Sequence, residues 1–329
     1  MRAARELRDQ LAEIERGLAV AARPGLALFR LTGPDRVETL HRVVSQDVKT
    51  LQAGQGKLAL LLAAKGQFRA LMGVFAMPGE LWLLAPVGHG DFLADSLRRY
   101  LAFSKSALEP VAPVRAPILL LGPRWAEVTA AAGAPVEALA SGGMAVTDQA
   151  GEGVHWVGQT LVGVPGAVAF TPSDAAADSI ELLARSLGAT EVGGDAIELA
   201  RIRLGFPAWG RELTETVLPP EVGIEALTIS YSKGCYVGQE TIARMRTHGH
   251  PNRRLVGVRQ RDGTDTLPDL PGPLTVAGEE KPRGTLTSFA LHPDLGGVGL
   301  ALVRRELAGP GTVLLGAGRT FEITTFPLW

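Results

Sequence analysis

Cys235 is the only cysteine of the chain, so no intrachain disulfide can claim it. It stands in Lys233-Gly234-Cys235-Tyr236-Val237-Gly238-Gln239-Glu240, between a strand-like run, Ala226 to Tyr231, and a helix-like run, Glu240 to Met245. Gly234 and Gly238 bracket it and permit a tight turn. A thiol set just before a helix meets unpaired N–H groups and the positive end of the helix dipole. With Lys233 and Arg244 as nearby cations, that placement favours the thiolate, which is the reactive form. A free cysteine is more often a small buried hydrophobe. Flanks of Gly, Lys, Gln and Glu are not an apolar run, however, and the expectation is a working thiol.

A second group of candidates runs from Arg201 to Arg211. Trp209 lies in a loop past Pro207, where an indole can stack on a flat ring or simply lid the local core. Arg201, Arg203 and Arg211 supply cations around it. Arg244, Arg246, Arg253, Arg254, Arg259 and Arg261 then form a basic stretch interleaved with His248 and His250. It suits a small anionic ligand, an acidic partner or RNA, or is a solvated loop in an arginine-rich chain. Few aromatics accompany it, so a base-stacking surface is not indicated. No phosphate-cradling glycine loop is present. His248 and His250 have no Cys at zinc-ligand spacing, and one Cys cannot hold an iron–sulfur cluster alone.

The ordered run Arg201-Ile202-Arg203-Leu204-Gly205-Phe206-Pro207, Gly210-Arg211-Glu212-Leu213, Leu218-Pro219-Pro220-Glu221 and Lys233 to Arg244 resembles the YgfZ-type folate-binding proteins. These are relatives of the glycine-cleavage T-protein, an aminomethyltransferase. Weaker likeness lies in Leu31 to Arg36, Ser45 to Val48 and Leu62 to Gly66. The resemblance implies a multidomain α+β fold: a T-protein-like folate-binding body with a C-terminal antiparallel β-barrel. It implies tetrahydrofolate, or another reduced folate, as the cofactor. It also implies a maturation factor rather than a turnover catalyst, supporting iron–sulfur cluster assembly or repair in client enzymes, tRNA-modifying ones included. Cys235 and Lys233 would be the working pair, with Gly234, Tyr236, Gly238, Gln239 and Glu240 completing the motif. Arg201, Arg203, Trp209, Arg211 and Arg244 would border the folate.

One departure stands out. Where the folate-binding relatives commonly place a Glu against the pteridine, this chain has Arg203, and a cation cannot accept the hydrogen bonds of the amino-pyrimidine edge. A tetrahydrofolate-dependent aminomethyltransferase is the alternative activity, but those relatives lack the Lys-Gly-Cys motif. A pure interaction module is the third reading.

Composition bounds these readings. A chain of 329 residues with 46% hydrophobic and 20% charged residues has ordinary globular make-up and room for two or three domains. A net charge of −1 gives no global case for direct nucleic-acid or membrane binding. The acids among the first eighteen residues argue against a transit peptide, and a single cysteine suits a reducing, cytoplasmic setting.

The elements that must position these residues are readable from periodicity. Helices are expected over Met1–Leu18, Arg36–Val44, Gly90–Tyr100, Arg124–Ala132, Ser173–Leu187 and Asp195–Arg203, with Asp35 and Ser173 as candidate caps. A hairpin is expected around Lys65-Gly66. The expected division is a folate-binding body from 1–110 and 190–250, a ferredoxin-like α+β subdomain over 111–189, and a barrel over 251–329.

Overall fold

Three sheets organise the chain in a computed structural model that describes residues 2–22, 25–111, 116–158, 160–263 and 266–329. The body sheet runs in the order Gly56–Leu62, Phe68–Met77, Glu80–Ala85, Ala27–Thr32, Ala107–Val111, all antiparallel. Its central strands are mostly apolar, with Arg30 and Arg69 among the exceptions, because both faces are largely covered. Alternate side chains take opposite sides. Ala59 and Leu61 pack with Leu40, Leu93 and Leu97 under the helices Arg36–Val43 and Gly90–Leu101. Leu60 and Leu62 point the other way, into a cluster with Phe68, Leu71, Tyr236 and Ile242. That second cluster is the seat of the cysteine motif. Each of these leucines contributes roughly 2 kcal/mol relative to an exposed position.

The middle sheet has the order Thr190–Glu191, Ala19–Ala22, Ile118–Leu121, Gly166–Phe170, Glu152–Val157, Met144–Gln149. Helices Trp125–Ala131 and Asp174–Ser186 cover one face through Val128, Ala176 and Ile180. Ser173 caps the second helix as expected, its Oγ accepting from the Ala176 N–H at 3.2 Å. The sheet draws two strands from outside 111–189. Both are too short to carry a periodicity of their own, and pairing alone makes them strands.

The last sheet has the order Gly272–Leu274, Gly284–His292, Gly296–Arg304, Arg253–Gln260, Arg319–Thr324, Val313–Gly316. Thr275 and Leu315 exchange both backbone hydrogen bonds, at 2.8 and 2.9 Å, and nearly close it into a barrel. Inward-facing Val258, Leu286, Ala301, Leu314 and Phe321 fill it. Helix Arg2–Arg16 packs on helix Gly194–Leu204, and Glu15 accepts from the Trp329 indole at 2.9 Å, tying the two ends of the chain together.

Two local expectations are corrected. Residues 226–231 are not a strand. Gly223, in a left-handed conformation, redirects the chain into a one-turn helix, Glu225–Thr228, closed by the Thr228 hydroxyl on the Ile224 carbonyl at 2.7 Å. Asp35 precedes its helix but does not cap it; its carboxylate accepts from the Lys105 N–H at 2.9 Å and the Ser106 hydroxyl at 2.6 Å. No helix among the described residues is long and apolar enough to cross a membrane.

Candidate functional site

The cysteine motif is a turn clamped at three points. Tyr236 is buried against the body sheet. Gly238 has φ of 82° and caps helix Gln239–His248. A Cβ there would stand 2.5 Å from the Ala63 carbonyl oxygen, so only glycine lets the turn close onto the Lys65-Gly66 hairpin. Lys233 is buried, and its ammonium donates to the carbonyls of His41 and of Val44, the latter at 2.6 Å. These carbonyls end helix Arg36–Val43, where the dipole favours a cation. Burial nevertheless pushes the Lys233 pKa down to about 8. The lysine thus anchors the turn from below, and its charge is engaged with the helix end.

Cys235 itself is exposed. The cap position belongs to Gly238, three residues further on. Gly234 has open space where a Cβ would be, so no steric demand explains it. Gln239 is half-buried. Glu240 and Arg244 pair with each other at 2.7 Å on the exposed side of the helix. Arg246 lies over the Tyr231 ring, 4.0 Å from its centroid.

The second part is a cavity of about 380 Å³ where the body and middle sheets meet helix Gly194–Leu204. Its lining is mixed: apolar Leu26, Leu71, Pro86, Val87 and Leu161, the indole of Trp209, and the charged side chains of Asp195, Glu198 and Arg211. Trp209 is held against buried His89, with ring centroids 3.6 Å apart. Burial lowers the His89 pKa to about 4, so its ring is neutral. Leu71 belongs both to this wall and to the cluster under Tyr236, and Trp209 packs on that same cluster. Cys235 is not among the lining residues.

The arginines divide sharply. Arg201 borders the cavity, yet its guanidinium donates to Glu198, to Glu212 at 3.0 Å, to the Phe206 carbonyl and to Ser288. Every N–H direction is spoken for. Its role is to fix Glu198 and Glu212 and to join the body to the barrel. Arg211 also pairs with Glu198 and faces the cavity. Arg203 is the clear correction. It points away, pairing with Glu15 at 3.4 Å and donating to the Trp329 carbonyl at 3.1 Å. Its helix turns it to the face packed on helix Arg2–Arg16. Arg244 lies on the other helix and does not line the cavity either.

The carboxylates at the centre escaped the sequence reading. Glu198 stands three residues before Arg201, a helical pairing distance that could have exposed it. Glu212 lies within the Gly-Arg-Glu-Leu segment, and besides Arg201 it accepts from the Ala208 N–H and the Ser288 hydroxyl. Nothing local marks His89. The side chain of His248 lies outside the described residues, and among those described no group of three His, Cys, Asp or Glu is placed to hold a metal.

Known proteins are similar to this chain in sequence and in fold. A chloroplastic protein of Arabidopsis thaliana named as a transferase is 26% identical over 320 residues, covering 94% of this chain and 70% of its own length. The tRNA-modifying protein YgfZ of Yersinia pestis is 29% identical over 231 residues, covering 70% and 67% respectively. The glycine cleavage system aminomethyltransferase T of Bartonella henselae superposes with a TM-score of 0.83 over 98% of this chain and 89% of that one, at 19% identity, which establishes the T-protein fold. The GCVT N-terminal domain family matches residues 14–233, and this chain belongs to that family, as a homologue of the YgfZ proteins.

Proposed function

We propose that this protein is a folate-binding accessory factor that supports iron–sulfur cluster assembly or repair in client enzymes, tRNA-modifying ones among them, through the thiol of Cys235. The observation that carries the reading is the exposed lone thiol on a turn that glycine, lysine and tyrosine hold rigid. A thiol meant for packing would be buried. The YgfZ relative is named a tRNA-modifying protein, which supports the choice of clients.

The cavity suits the ring end of a reduced folate. Its volume is at the low end for small-ligand pockets, enough for a head group with the remainder outside. Trp209 offers a flat face beside the apolar side chains of Leu26, Leu71 and Leu161. Glu198 and Asp195 can accept hydrogen bonds from an amino-pyrimidine edge, and Arg211 can meet a carboxylate tail. A bound reduced folate supplies one-carbon and redox chemistry, and Cys235 supplies a nucleophile or a ligand for iron or sulfur. Arg203 turned away from the cavity weighs against pteridine recognition at that position.

Two measurements test the reading. Tetrahydrofolate should quench Trp209 fluorescence saturably. Cys235→Ser should fold normally and fail to restore cluster-enzyme activity in cells lacking the protein. Normal client activity with Cys235→Ser would remove the thiol from the function.

A further inference from the structure

A row of three arginines crosses one end of the barrel sheet, with Arg253 and Arg304 on strands and Arg283 just before one. Arg253 pairs directly with Arg304 in the antiparallel ladder. On its other side the Arg304 N–H bonds the Arg283 carbonyl at 2.9 Å, one step beyond the Gly284 and Val303 pair. Directly opposed residues share a face of the sheet, and all three line one cleft of about 510 Å³ between barrel and body. Like charges set side by side across strands repel.

The flanking members are neutralised. Arg253 grips Glu221 with two hydrogen bonds, at 2.8 and 2.7 Å. Arg283 donates to Glu279 at 2.6 Å and has Glu306 further off. Arg304, in the centre, has no hydrogen bond or ion pair from its guanidinium among the described residues. The same cleft is lined by the neutral donors Gln67 and Thr216 from the body and Asn252 and Thr285 from the barrel, and by Glu221, whose carboxylate Arg253 already holds. A carboxylate is satisfied by one guanidinium fork. Cations in a row with amide and hydroxyl donors in the same cleft suit an anion with three or more oxygens.

We propose that this cleft binds a phosphate group, with Arg304 as its principal charge. The site is separate from the Trp209 cavity and from Cys235, and shares no lining residue with the former.

Calorimetric titration of the full chain with inorganic pyrophosphate at fixed ionic strength tests it. The expected result is saturable one-to-one binding with Kd of about 1 mM or tighter. Arg304→Gln should weaken it about tenfold or more and leave the free protein's melting temperature unchanged or higher. Arg254→Gln, on the opposite face of the same strand, should bind as the parent does. A short oligoribonucleotide without terminal phosphates identifies the source: Arg304-dependent binding of it points to a phosphodiester backbone, and its failure points to a free phosphate ester. Absence of saturation, equal binding of glutarate, or indifference to Arg304→Gln would each overturn the proposal. Should Arg304→Gln not fold, the comparison of pyrophosphate with glutarate on the parent protein decides.

Discussion

Lys233 donates a hydrogen bond to the carbonyl of Val44, 2.6 Å away and 189 residues earlier in the chain. The motif lysine is therefore a strut between the cysteine turn and the helix over the body sheet. Its replacement by Met leaves two carbonyls without their donor and should cost about 1–3 kcal/mol.

The same burial fixes a pH dependence. Folded Lys233 gives up its proton near pH 8, while the unfolded chain holds it to about 10.4. Between those values the unfolded state binds more protons, so the contribution of Lys233 to stability rises with pH. Urea unfolding of the parent and of Lys233→Met should diverge in the parent's favour from pH 8 to 10, by at most about 1.4 kcal/mol per unit. A constant difference would mean that the ammonium is solvated.

Gly238 and Gly234 should behave oppositely. Ala at 238 meets both a left-handed backbone and the Ala63 carbonyl, a strain of about 1–3 kcal/mol. Ala at 234 enters open space and should stay within about 0.5 kcal/mol of the parent. Melting curves of the two variants check this, and equal losses would contradict the clamp.

That pair also marks what the sequence could reveal. Glycines on both sides of Cys235 announced a turn, but which one is obligatory depends on the distant Lys65-Gly66 hairpin, invisible to local pattern. The long helices, the body hairpin and most barrel strands were legible because their apolar residues repeat with the right period. Short strands such as Ala19–Ala22 exist only through their neighbours. Arg201 and Arg203 look alike in sequence. One is a buried hub and the other a surface pair, because two helical steps turn them to different faces.

His89 gives the protein an acid-sensitive core. Its folded pKa of about 4 lies below the ordinary 6.5, so its stabilising contribution is complete above 6.5 and is lost as pH falls towards 4. The loss should not exceed about 1.4 kcal/mol per unit. His89→Phe keeps a ring beside Trp209 and should flatten this limb. An unchanged acid limb, followed by Trp fluorescence, would assign the loss to other groups.

The final prediction separates Glu198 from Arg203. If the reduced folate enters the Trp209 cavity, its amino-pyrimidine edge needs an acceptor, and Glu198 is the carboxylate that both lines the cavity and is held there by Arg201 and Arg211. Glu198→Gln keeps the size but turns one acceptor into a donor, and should weaken tetrahydrofolate binding about tenfold or more. Trp209→Leu removes the flat face and should weaken binding by a similar factor. Arg203→Glu would restore the residue common in folate-binding relatives, yet here it places a carboxylate beside Glu15 and breaks the contact with the Trp329 carbonyl. It should lower the melting temperature and leave folate affinity unchanged. A gain in affinity from Arg203→Glu, with Glu198→Gln silent, would move the pteridine site to the other face of helix Gly194–Leu204.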